Sequence, residues 1–125
     1  MITKEQMKKA AEKAGLSKYD FIDDLVDDLF NECAGSYEDQ KKWFADLFIY
    51  GCISGMVGKF VYHHDCKDFY IKHIDSMEQF KEDLEDDLGE PITDRNHLPH
   101  YTFMCWLICE VTARRIAEQI WPEDF

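Results

Sequence analysis

Tyr101-Thr102-Phe103-Met104-Cys105-Trp106-Leu107-Ile108-Cys109 is the longest apolar run in the chain, and its reading decides the fold. The run is far too short to span a bilayer, and Glu110 and Arg114 follow it. Extended over about 100–121, the stretch reads as one helix. It is apolar nearly all round at first, amphipathic from Glu110, and closed by Pro122. A helix without a polar face belongs at the centre of a core, so the other segments are expected to pack around it.

Those segments also read as helices. Thr3 and Gln6 form a capping-box pattern and Gly15 a stop, giving a helix over about 4–14. Ser17 opens a second helix, about 18–33, whose Phe21, Ile22, Leu25, Val26, Leu29 and Phe30 recur at helical spacing. Ser36, with Asp39 at the capping-box position, starts a third, with Trp43, Phe44, Leu47 and Phe48 on its buried face. Gly51, Gly55 and Gly58 then predict a kinked or interrupted helix, since each glycine costs about 1 kcal/mol in a helix interior. His63-His64-Asp65 is a connector with Asp65 as a cap, followed by a short helix over about 66–73. Asp75 or Ser76 caps the next helix, whose apolar positions are Met77, Phe80, Leu84 and Leu88, and Gly89 ends it. Residues 90–99 form the one long irregular connection. No segment alternates as a strand. The expected fold is all-α, a compact bundle of about five to six helices with a buried C-terminal helix, forming a single domain over 1–125.

Composition narrows the function. Fourteen Lys and Arg against 26 Asp and Glu give a net charge of −12. Phosphate has to be neutralised by basic side chains, so direct nucleic-acid binding is disfavoured and a basic partner favoured. The acidity is concentrated in two stripes. One is Asp20, Asp23, Asp24, Asp27, Asp28 and Glu32; the other is Glu78, Glu82, Asp83, Glu85, Asp86, Asp87 and Glu90. No Lys or Arg occurs between residues 19 and 40, although surface helices ordinarily mix signs to form intrahelical pairs. Carboxylates one turn apart are spaced by about 5–6 Å, the scale of successive phosphates. Asp20, Asp23, Asp24, Asp27, Asp28, Glu32, Glu82, Asp83, Asp86 and Asp87 are therefore the candidate partner-binding residues. The competing reading is two ordinary solvated faces that keep the chain in solution.

The patterns that mimic catalytic centres have plainer explanations. The N-terminal helix pair looks like a helix-turn-helix, but its second helix would carry aspartates against phosphate. Gly51-Cys52-Ile53-Ser54-Gly55 misplaces the serine of a nucleophile elbow by one residue, with no strand before it. Cys105 and Cys109 share a helix face, and a zinc site can be drawn with His63, His64 and Cys66. No paired C-x-x-C motif supports it, and buried cysteines pack as small hydrophobes. Asp94, His97 and His100 are three apart, but Pro99 interrupts any shared helix face. No catalytic residue, cofactor or metal is expected. Five cysteines, an odd count, and a polar N-terminus from Thr3 predict a reducing cytoplasm with no signal peptide.

Tyr50-Gly51-Cys52-Ile53-Ser54-Gly55-Met56-Val57, Phe60-Val61-Tyr62, Asp65, Phe69-Tyr70, and the late stretch Trp106-Leu107 with Glu110-Val111-Thr112-Ala113-Arg114 resemble a family of short uncharacterised proteins of bacteriophages and other mobile elements. The resemblance covers roughly residues 40–120, and His63-His64 departs from it. It brings no activity with it. What it implies is mobile-element cargo acting in the cytoplasm of a bacterial host, a setting that includes small acidic inhibitors of CRISPR and restriction systems. The reading from sequence is a non-enzymatic acidic interaction protein that occupies a basic groove of a host nucleic-acid-binding or defence protein. The alternatives are a small metal- or cysteine-dependent enzyme, and a homo-oligomeric accessory module joined through its glycine-faced helix.

Overall fold

Thr3 begins the first helix by capping it. Its hydroxyl accepts from the Gln6 N–H at 3.1 Å, while the Gln6 side-chain oxygen accepts from the Thr3 N–H at 2.8 Å. Helix α1 (Lys4–Lys13) follows, with Met7, Ala10 and Ala11 buried. Gly15 stops it at φ 78°, a left-handed conformation that glycine adopts without steric penalty. The computed structural model describes residues 1–33, 39–50, 65–94 and 97–125, apart from the side chains of 32, 33 and 46–50. Gly35, Ser36, the glycine-rich break at 51–58 and His63-His64 thus lie outside the described residues.

The second helix starts later than the Ser17 reading places it. Residues 17–21 make a tight turn, with Tyr19 N–H on the Leu16 carbonyl and Ile22 N–H on the Tyr19 carbonyl. Helix α2 is Ile22–Asp28, and a π-helical turn, Leu29–Cys33, extends it. The reason is burial. Leu16, Tyr19 and Phe21 all enter the core, and a helix running from Ser17 would not aim all three inward. Tyr19, Phe21 and Phe80 form one aromatic cluster with ring centroids 5.1–5.6 Å apart.

Helix α3 is Gln40–Tyr50, opened by Asp39, whose carboxylate accepts from the Lys42 N–H at 2.9 Å. Trp43 and Phe44 are buried; Leu47 and Phe48 fall among the undescribed side chains. Asp65 caps α4 (Cys66–Lys72) by accepting from the Asp68 N–H at 3.1 Å. Helix α5 (Ile74–Leu88) begins one residue before Asp75, at the His73 junction, and no side chain caps it. The Ser76 hydroxyl bonds Asp20 and the His73 carbonyl and accepts from no N–H of the first turn. Gly89, at φ 75°, ends α5 as expected. Met77, Phe80 and Leu84 are buried, but Leu88 is 63% exposed, because the helix has run past the core by its last turn.

Helix α6 (His100–Ile120) is the centre. It packs against α1, α3, α4 and α5, and buries Phe103, Met104, Cys105, Ile108, Cys109, Thr112, Ala113, Ile116 and Ala117. At roughly 25 cal/mol per Å² of apolar surface, each large side chain buried on it contributes about 2–3 kcal/mol. The described residues form six α-helices and no strand. None of these helices is long and apolar enough to cross a membrane.

Candidate functional site

The acidic stripe around α2 is largely engaged by its neighbours. Asp20 accepts from the Ser76 hydroxyl and lies 3.4 Å from His73 Nδ1. Asp24 takes Lys72 Nζ at 2.9 Å and His73 Nε2 at 2.8 Å. Asp27 pairs with Lys8 at 3.0 Å and, at longer range, with Lys4 at 3.8 Å. Ser76 and then His73 hold the Asp20 carboxyl below its usual range, and Lys72 followed by His73 does the same for Asp24. His73 itself is 6% exposed, and stacks near Phe69 at the junction of α4 and α5. The missing bases of α2 therefore come from α1 and α4, which sequence spacing along α2 cannot reveal.

The α5 stripe divides. Asp83 accepts from the Tyr19 hydroxyl and from Gln79 at 2.8 Å, which depresses its carboxyl. Burial, followed by this same bond, pushes the Tyr19 phenol up. Glu85 accepts from the Ile92 N–H at 2.8 Å and from Lys81 at 3.0 Å, fastening the irregular connection to the helix. Glu78 accepts from Tyr70 and His100; burial pushes its carboxyl up, but these two donors outweigh that. The Tyr70 phenol, half of that bond, is pushed up to about 12 by burial and by Glu78. Glu82, Asp86 and Asp87 remain exposed, as does Asp23 on α2, and none has a side-chain partner among the described residues. The Glu32 side chain lies outside the described residues.

Two clefts flank the seam where Tyr19 and Asp20 meet α5. The first, about 410 Å³, opens at the end of α1 and is lined by Lys18, Tyr19, Phe80, Asp83, Asp86, Asp87 and Arg115, a mixed set of charges. The second, about 370 Å³, lies between α2 and α4. Asp24, Asp27, Asp28, Asp65 and Asp68 line it with Phe69 and Lys72: five carboxylates against one ammonium. Asp65 and Asp68 belong to this site, and the sequence reading left both out of the candidate set. Their proximity is itself informative. A hydrogen bond with the Asp65 side chain, and then its charge, raise the Asp68 carboxyl, which the Asp65 cap holds close by. The signal available in the sequence was the D-x-x-D spacing of a capping residue and its first turn, which reads as local helix chemistry.

The described residues that could imitate catalytic centres have other partners, lie exposed or are buried in the core. Asp94 accepts from the Leu98 N–H, His97 is exposed at φ 54°, and His100 is bound to Glu78. Cys66, Cys105 and Cys109 are buried thiols outside any disulfide. No group of three or more His, Cys, Asp or Glu with metal-binding geometry occurs among the described residues.

No curated protein and no solved structure matches the chain. A family model does. Residues 4–121 match the family described as a domain of unknown function (DUF7222), and the chain belongs to that uncharacterised family.

Proposed function

We propose that this protein is a non-enzymatic acidic interaction module whose α2–α4 cleft receives a basic surface of a partner protein. One observation carries the reading. Five carboxylates, those of Asp24, Asp27, Asp28, Asp65 and Asp68, open onto a single cleft whose lining supplies one ammonium, that of Lys72. Like charges kept together in this way work against folding, and a cationic partner relieves the repulsion on binding. Glu82, Asp86 and Asp87, unpaired on α5, add long-range steering. The finer reading is mobile-element cargo that blocks a host nucleic-acid-binding defence protein by presenting carboxylates where phosphates would sit. It rests on the net charge of −12 and on the resemblance described above.

The test is capture from a bacterial lysate at low and high salt, with the wild-type chain, Asp68→Lys, and a Glu82→Lys/Asp86→Lys/Asp87→Lys triple variant. The expected result is a basic nucleic-acid-binding protein retained at low salt and released at high salt. Asp68→Lys should weaken capture at least tenfold and the triple variant less. Equal capture by all three chains would overturn the reading.

A further inference from the structure

Three cysteines lie buried where α4 meets α6, and the interaction reading makes no use of them. Cys66 is the first residue of α4 and Cys105 sits in the first half of α6. Cys105 Sγ donates to the Cys66 carbonyl at 3.4 Å, which sets the Cys105 sulfur against the backbone of Cys66. Neither is in a disulfide, with 6% of Cys66 and 2% of Cys105 exposed. Two cysteines that meet across a helix–helix contact, 39 residues apart in the chain, are placed to cross-link when oxidised. Cys109 lies on α6 with Cys105, one turn along, where helix geometry disfavours a bond between them.

We propose that Cys66 and Cys105 form an intramolecular disulfide under peroxide, a modification site that ties α4 to the central helix. Cys66 is the more exposed of the pair and the attacking sulfur. The neighbouring Cys105 thiol lowers that of Cys66 against the opposing effect of burial, while the Cys105 thiol is itself pushed up by Cys66 and by burial. The Cys66 thiolate attacks a peroxide oxygen and breaks the O–O bond, becoming a sulfenic acid as the first water leaves. Cys105 sulfur then attacks Cys66 Sγ and displaces the hydroxyl, which takes the Cys105 proton as the second water. Two thiols lose two electrons and two protons, and one peroxide becomes two waters. In a reducing cell such a bond is transient and redox-sensing rather than structural. Because α4 carries Asp68 and is capped by Asp65, oxidation would fix one wall of the acidic cleft.

The experiment uses the full chain treated with hydrogen peroxide under native conditions, then blocked with an alkylating agent and mapped by peptide mass spectrometry without reduction. The expected result is a linked peptide pair containing Cys66 and Cys105, with Tm raised by roughly 5–15 °C and restored by a reductant. Cys105→Ser should leave Cys66 as a sulfenic or more oxidised acid and abolish the rise. The proposal is overturned by linkage to another cysteine, by links only between chains, by no link at all, or by a link that leaves Tm unchanged or lower. Wild-type mapping alone decides the linkage, so a variant that fails to fold does not blunt the test. No partner is involved, so failure here is separate from failure of the interaction reading.

Discussion

The two acidic stripes look alike in charge, and the fold uses different parts of them. On α2 and the turn before it, Asp20, Asp24 and Asp27 hold helices together through Ser76, His73, Lys72 and Lys8. On the second half of α5, Glu82, Asp86 and Asp87 hold nothing among the described residues. A run of carboxylates in a sequence thus says little about charge left free at the surface. What decides is whether the face it lies on is crossed by another element carrying cations.

The contrast can be broken at its strongest point. Asp24→Ala removes an acceptor from both Lys72 and the buried His73, and should destabilise the fold by about 1–2 kcal/mol in chemical denaturation. A loss within about 0.3 kcal/mol would show that Asp24 is as idle as Asp86. The same difference should appear on the acid side. Asp20, Asp24 and Asp83 have carboxyls lowered in the folded state. Their contribution is complete above the unfolded carboxylate value of about 3.9 and disappears as pH falls through the folded values. Stability should therefore drop below about pH 4, and Asp24→Ala should drop less steeply. The smallest effect is expected on α5. Converting Glu82, Asp86 and Asp87 to Lys should change stability by no more than about 0.5 kcal/mol, with a shift in salt dependence as the only clear sign. A larger loss would mean that these side chains support the fold after all.

Much of the fold was legible in local chemistry. The Thr3–Gln6 capping box, Gly15, the Asp65 cap and Gly89 set helix ends through contacts spanning only a few residues, and such contacts are written in spacing. The unbroken apolar surface of residues 101–109 likewise placed α6 at the centre, since no other location would hide it. The errors occurred where distant parts of the chain compete for one residue. Ser76 has the composition of a cap but serves Asp20, 56 residues away. Ser17 has the same composition, but the chain turns there so that Leu16, Tyr19 and Phe21 all reach the core. Leu88 keeps the helical period of Phe80 and Leu84, yet the core ends before it.

The site divides in the same way. The sequence alone determined the excess of negative charge and the helices that carry it, because charge and periodicity are properties of residue types in order. Only the tertiary structure decided which carboxylates are occupied, by bringing Lys8, Lys72 and His73 to α2, and that Asp65 and Asp68 open onto the same cleft as Asp24, Asp27 and Asp28. Electrostatic interaction depends on distance through space, and for these groups that distance is set by how helices far apart in the chain pack around α6.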